Sequence, residues 1–194
     1  MNVLNGRGLV LLVVCLYSSQ AFAEELDNLL KSAKDLINTY SLSIQLEYEK
    51  GYSLNDPIFI KEICRQKAKE IAANMSRDGW SITRISMDYN NIDNAPDQTE
   101  RRILKDFLAK NRKGKAAEEL AWYKLNEIGN QSEFRYIRAF AMEERCMSCH
   151  SNTDKKSATF PSLAAYSVKK IETKDYFPAE NNNESMTPLP KFKE

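Results

Sequence analysis

The one histidine of this 194-residue chain closes the segment Cys146-Met147-Ser148-Cys149-His150, and no other feature restricts the fold as strongly. In C-x-x-C-H spacing two thiols reach the two vinyl groups on one edge of a porphyrin and become thioethers. The adjacent imidazole then comes under the ring as a ligand to iron. With four cysteines and one histidine in the chain, chance assembly of this pattern is roughly 4 in 10,000 on an independent-residue estimate. The motif therefore predicts one covalent haem c, held by Cys146 and Cys149, with His150 as the proximal iron ligand. A single histidine also excludes two-histidine zinc sites and bis-histidine haem ligation. Two other readings compete. A C-x-x-C disulfide lacks the preceding βαβ unit of a thioredoxin-like protein. A structural Cys₃His zinc site of Cys64, Cys146, Cys149 and His150 has the correct ligand count, but a histidine directly after a ligating cysteine is awkward for tetrahedral closure.

Haem attachment of this kind agrees with the N-terminus. Arg7 supplies a short positive region, residues 9–16 (LVLLVVCL) form an apolar core too short to span a bilayer, and Ala21-Phe22-Ala23 gives a small-x-small cleavage pattern. Residues 1–23 are predicted to be a signal peptide cleaved after Ala23, which places the protein in the periplasm. A lipoprotein signal on Cys15 is disfavoured by bulky Val14, and an uncleaved anchor is the remaining alternative. Arg7 is the only charged residue in that leader, so its loss balances the 28 basic and 27 acidic side chains of the full chain. Neutral charge gives no reason to expect nucleic acid or a membrane surface as partner. Losing Cys15 leaves Cys64, Cys146 and Cys149, an odd set in an oxidising compartment, so one thiol must pair elsewhere, stay buried or bind something.

The rest of the chain reads as one α+β domain over residues 24–171, followed by a polar, loose tail over 172–194. Helical spacing of Leu26, Leu29, Leu30, Ala33, Ile37, Tyr40 and Ile44 predicts a long first helix to about residue 48, broken at Gly51 and by residues 53–57. A second helix is expected over 57–76, with Ile60, Cys64, Ala68, Ile71 and Met75 on one face and Gly79 as its stop. Residues 80–87 (WSITRISM) alternate as a strand, 90–96 form a loop, and a helix over 99–110 enters through Pro96-Asp97. Residues 110–115 (KNRKGK) read as a solvated basic turn. Strands over 119–126 and 133–142 flank a Gly129-Asn130 turn. Beyond Phe160 the signals fade.

For the sixth iron position, the residues alone leave Cys64, a methionine, a lysine, water or nothing. Met75 and Met87 are candidates, although such methionines commonly fill cores, and a cysteine on an apolar helix face is commonly a small buried hydrophobe.

At this point the chain resembles a known family, the exported c-type haem domain of PAS-like fold that occurs alone or as the sensory part of bacterial histidine kinases and chemoreceptors. The resemblance covers roughly residues 60–150. It rests on Ile63-Cys64, Ala68, Ile71-Ala72, Gly79-Trp80, Arg84-Ile85-Ser86, Asn91, Asn94, Pro96, Glu100, Phe107 and Arg135-Tyr136 leading into Cys146-x-x-Cys149-His150. It implies a PAS-like antiparallel sheet with long N-terminal helices and haem c attached near the C-terminal part. It also implies Cys64 as the distal iron ligand. Arg84 matches a family position and is a candidate partner for haem propionates or for the neighbouring loop. Two departures stand out. Asn90-Asn91 replaces the family's Arg-Asn, and the Gly-rich segment leading into a last strand is not recognisable in residues 151–170. The C-terminal edge of the sheet is therefore expected to differ.

Two functions follow as expectations. One is redox or gas sensing, in which a change at iron moves the Cys64 helix, with a signalling protein as partner and a small gas as ligand. The other is electron transfer between periplasmic redox partners. Nothing else in the chain resembles a catalytic set, so no enzyme activity is expected.

Overall fold

The computed structural model describes residues 6–54, 57–89, 91–142 and 163–173, by backbone alone at 6–21, 57, 60, 61 and 64. The first helix, α1 (Gly6–Ser53), passes through Ala23 without a break. Ala33, Ile37, Tyr40, Ile44 and Tyr48 recur every three or four residues along it and are all buried, the stripe that holds an amphipathic helix against a core. Gly51 does not end it. That residue is helical and buried, and the helix closes at residue 54, whose N–H bonds to the Lys50 carbonyl at 3.1 Å.

The expected second helix is present but divided. α2 (Pro57–Glu62) runs into a π segment, Ile63–Lys67, and then α3 (Ala68–Met75). The Ala68 N–H reaches back five residues to the Ile63 carbonyl, the signature of the wider π turn. One extra residue per turn shifts the helix phase. The buried line accordingly joins Ile63 to Ala68, where an uninterrupted α-helix would pass through position 64.

α3 leads into β1 (Trp80–Ser86) through a turn in which Asp78 and Gly79 take φ of 52° and 77°. A Cβ at Gly79 would overlap the backbone carbonyl oxygen of Ile171, so only glycine fits this approach. After a 3₁₀ turn, Ile92–Asn94, comes α4 (Gln98–Arg112). Its N-terminus is a capping box: the Asp97 carboxylate accepts the Glu100 N–H at 2.9 Å and the Glu100 carboxylate accepts the Asp97 N–H at 2.8 Å. A second 3₁₀ turn, Ala117–Glu119, precedes β2 (Ala121–Ile128), which pairs in hairpin with β3 (Gln131–Ala141) across the Gly129-Asn130 turn.

The last strand, β4 (Leu163–Thr173), corrects the expectation of a different C-terminal edge. It is no edge at all. The sheet order is β1-β4-β3-β2, wholly antiparallel, with β4 in its interior. The strand ends at Thr173; residues 174–194, most of the expected tail, lie outside the described residues. Alternate residues of each strand serve two cores. Ile82, Val168, Tyr166, Phe134 and Tyr136 join the α1 and α3 face. Ile85, Ala165, Leu163, Ile137 and Ala139 meet Ile103, Leu104 and Phe107 of α4 on the other. Each large side chain so buried contributes about 1.5–3 kcal/mol. The domain is α+β and PAS-like, its sheet covered by helices on both faces.

Candidate functional site

Topology brings the motif-bearing connection and the Cys64 segment to one end of the sheet. β1 and β3 both pair antiparallel with β4 and so run in the same direction, and Ser86 and Phe140 both stand opposite Ala164. The connection between β3 and β4, which carries Cys146, Cys149 and His150, leaves and re-enters at that end. Those three residues themselves lie outside the described residues. α3 returns into β1 through a short turn and packs antiparallel to it, so its start lies toward the Ser86 end. The twelve steps from position 64 to Ser76 advance about 18 Å as helix, and β1 spans about 20 Å. Cys64, second residue of the π segment, is thus carried to the same end of the sheet.

A cleft of about 260 Å³ runs between α3 and β1. Its helix wall is made of Ala68, Ala72, Ala73 and Ser76, and its strand wall is the sequence from Ser81 to Arg84. Lys69 on α3 forms an ion pair with Asp93 in the Ile92–Asn94 turn, closing the cleft at the Ser86 end. The turn is itself shaped by Asn91, whose side-chain carbonyl accepts the Asp93 N–H at 3.2 Å. Tyr40 of α1 floors the cleft and donates its hydroxyl to the Ala68 carbonyl at 3.2 Å, tying α1 to the first residue of α3. Arg84 is half-buried and lines the cleft opposite Tyr166 in the register. Tyr166 stacks on Phe140 with ring centroids 4.5 Å apart and donates to the Ser41 hydroxyl at 3.2 Å. An aromatic surface therefore lies beside Arg84, under the point where β3 leaves for the motif.

The small side chains along α3 leave room that longer ones would fill. A wall of alanine and serine, an aromatic floor and the Arg84 guanidinium, with Lys69 already paired to Asp93 at the rim, fit one edge of a flat apolar ring bearing a carboxylate. The cleft volume is below the usual 300–1,000 Å³ of a complete small-molecule site, so it takes part of such a ring and not the whole. Met75 packs against the α1 and α3 core and Met87 against the α4 core, on opposite faces of the sheet. Both are half-buried core residues. Among the described residues, no group of three or more His, Cys, Asp or Glu side chains gathers as a metal site.

Sequence reasoning did not single out the π segment, the Lys69–Asp93 pair or the polar cluster beneath α4. In that cluster Arg135 donates to Asp97 at 2.6 Å and to Glu133 at 2.5 Å, and Lys169 lies 3.5 Å from Asp97. Burial pushes the Asp97 carboxyl up, but the Glu100 N–H, the Arg135 guanidinium and Lys169 together outweigh it and hold it below the ordinary value. The Asp97-x-x-Glu100 spacing was the available signal, since it is the pattern of a capping box.

A PAS-like α+β domain with a helix–strand cleft is the class these features define. The chain belongs to the Tll0287-like family (Tll0287), whose family model matches residues 16–175. That family comprises PAS-like c-type haem-binding sensor domains. No curated protein and no solved structure matches the chain. Among the described residues, no helix is long and apolar enough to cross a membrane.

Proposed function

We propose that this protein is a periplasmic haem c sensor in which Cys146 and Cys149 hold the porphyrin, His150 ligates iron from one side and Cys64 from the other. The observation that carries the reading is the convergence of the β3–β4 connection and the π segment at one end of the sheet. Haem supplies an iron centre that can change oxidation state or exchange a ligand for a small gas. The chain supplies the rest. Arg84 lines the cleft where it would receive a carboxylate, and the small side chains of the Ala68–Ser76 wall would exclude water from a ring edge. Position 64 sits in a π turn, a geometry that recurs at functional sites. Gain or loss of a bond at Cys64 would bias that turn, and Tyr40 links the adjoining residue, Ala68, to α1. The output passes to a signalling or redox partner.

Electron transfer is the second reading, favoured by the compact aromatic path Phe140–Tyr166–Tyr40 leading from the same end of the sheet. We assign no catalytic residue and read the protein as non-enzymatic. A pyridine haemochrome spectrum and an intact mass of the periplasmic protein test the proposal. One covalent haem on a chain beginning at Glu24 is expected, and a mass without haem overturns it. Carbon monoxide binding to the reduced protein then favours sensing, whereas an unchanged six-coordinate spectrum in both oxidation states favours electron transfer.

A further inference from the structure

The α4 side of the molecule carries a second feature, independent of the haem reading. Although the chain is nearly neutral, residues 98–115 hold seven basic side chains against two acidic ones. One of the two, Glu100, is buried toward the sheet, and the other, Asp106, is paired with Lys110 at 2.6 Å. Arg101 donates to the Pro96 carbonyl at 3.4 Å. Arg102, Lys105, Lys113 and Lys115 are exposed, and among the described residues no carboxylate meets them. Helical lysines elsewhere are answered by a carboxylate three or four positions away, as in Lys31–Asp35, Lys50–Glu47 and Lys67–Glu70. In α4, Lys105 has instead Arg101 and Arg102 at those spacings, a like-charge arrangement that disfavours the helix.

The four cations form one outward surface. Ile103, Leu104 and Phe107 turn the opposite side of α4 into the core, so Arg102 and Lys105 project away from the sheet, followed by exposed Ala109. Lys113 and Lys115 stand at the far end, about 16 Å from Arg102 along the axis, and a fixed turn holds them there. Gly114 takes a φ of 93°, the Lys115 N–H bonds to the Lys110 carbonyl at 3.2 Å, and the Asn111 amide donates to the Lys115 carbonyl at 2.8 Å. We propose that this face docks on the surface of a bilayer rich in anionic phospholipid, with α4 lying flat and its cations among the phosphates. A protein partner is gripped through aromatic or other large anchors seated in pockets, and along this helix face the cations have only Ala109 between them. Long, unpaired basic side chains on a convex helix need no shape-matched partner, and a fluid layer of phosphates meets them without one. With no apolar edge to insert, the protein stays at headgroup level. α1 and α3 cover the other face of the sheet, so the α3–β1 cleft is turned away from the bilayer.

Co-sedimentation of the purified native protein with vesicles tests this. Vesicles of roughly one-third phosphatidylglycerol in phosphatidylcholine should bind the protein at least about tenfold more tightly than phosphatidylcholine alone, and raising the salt from about 0.05 to about 0.5 M should abolish the difference. Each cation near such a surface contributes about fivefold in partition, so Arg102→Gln with Lys105→Gln, and Lys113→Gln with Lys115→Gln, should each weaken binding about twentyfold. These exposed changes relieve like-charge contacts and leave the core alone. Lys31→Gln with Lys34→Gln removes the same charge from exposed positions of α1, on the opposite face, and should change binding less than about twofold. Equal binding to both kinds of vesicle, binding to neither, or an equal loss in the α1 variant overturns the proposal. Retention on immobilised polyglutamate without binding to the anionic vesicles would give the face to an acidic protein, and overturns it as well.

Discussion

Ser167, in the interior strand β4, donates a 2.7 Å hydrogen bond to the Glu100 carboxylate of α4, and both residues are buried. The same carboxylate oxygen lies 3.4 Å from the Lys169 ammonium, and the other accepts the Asp97 N–H at 2.8 Å. A buried carboxylate is tolerated only when its oxygens are met by donors in this way. The capping box that starts α4 is thereby also the anchor that fixes the helix to the centre of the sheet.

Ser167→Ala should therefore cost about 1–3 kcal/mol, because the lost hydroxyl leaves a buried acceptor short of a donor. Ser43→Ala offers the contrast. Its hydroxyl donates at 2.8 Å to the Thr39 carbonyl within an exposed turn of α1, so its removal should stay within about 0.5 kcal/mol. Urea unfolding of the two variants checks this, and equal losses would show that the buried bond contributes nothing special.

Asp97 predicts a pH dependence of defined sign. Its carboxyl is held below the ordinary value in the folded chain. Such a group adds stability above its unfolded pKa of about 3.9, and that stability is lost as the pH falls toward the folded value. Asp97→Asn keeps a good N-cap residue but loses the charge paired with Arg135. The parent should exceed the variant in urea midpoint at pH 7, and the gap should close as the pH is lowered below about 4. A gap that is the same at neutral and acid pH would assign the difference to something other than the carboxylate charge.

Gly79→Ala should be far more damaging than Gly114→Ala. Both positions have positive φ, of 77° and 93°, but a Cβ at Gly79 overlaps the Ile171 backbone carbonyl, whereas nothing lies within 4 Å of one at Gly114. The Gly114 change should cost only the left-handed penalty of about 1–2 kcal/mol. At Gly79 the pairing of β1 with the end of β4 must also give way, including the Ile171 N–H bond to the Gly79 carbonyl at 3.0 Å. Thermal unfolding of the pair tests the order.

What the sequence announced and what it hid divide along physical lines. α1, β1, β2, β3 and α4 were apparent because half-buried elements show alternating or 3.6-fold apolar patterns. β4 has no such pattern. Covered on both faces, it is buried from Leu163 to Val168, and its Ala164, Ala165 and Ser167 have little strand propensity. Gly51 looked like a helix stop, yet a buried glycine inside a helix costs only about 1 kcal/mol and packing offsets it. The π segment hid for another reason, since a local insertion of one residue leaves the apolar residues in place and changes only which of them line up. Of the candidate site, the C-x-x-C-H spacing was the local signal for the proposed attachment residues, which lie outside the described residues. The cleft formed by Arg84 with α3 depends on how α3 folds back on β1, which no local pattern records.

The proposed covalent attachment of haem at Cys146 and Cys149 can be tested directly. Cys146→Ser or Cys149→Ser should leave at most one thioether and move the α-band of the reduced pyridine complex, since one vinyl group survives. His150→Ala should abolish the native low-spin spectrum, because the chain has no other histidine. An unmoved α-band in both serine variants would refute dual attachment.

As the proposed distal ligand, Cys64 would separate this protein from an ordinary cytochrome. An anionic thiolate stabilises ferric over ferrous iron by charge and donation, and binding requires the thiol to be deprotonated, which ferric iron favours. Cys64→Ala should leave haem attached through Cys146 and Cys149 while opening the distal position. The midpoint potential should rise by on the order of 100 mV or more, and the ferric spectrum should move from low spin toward high spin. Carbon monoxide or cyanide should bind faster. Were Cys64 only a small buried residue, its replacement would cost about 1 kcal/mol of stability and leave potential and spin state alone. The π turn adds a second readout, because a segment held by a bond at position 64 should relax when that bond is gone. Hydrogen exchange at Ala68, whose N–H closes the π turn onto Ile63, should accelerate in the variant. A potentiometric titration of Cys64→Ala decides between the two forecasts, and an unshifted midpoint removes Cys64 from the iron site.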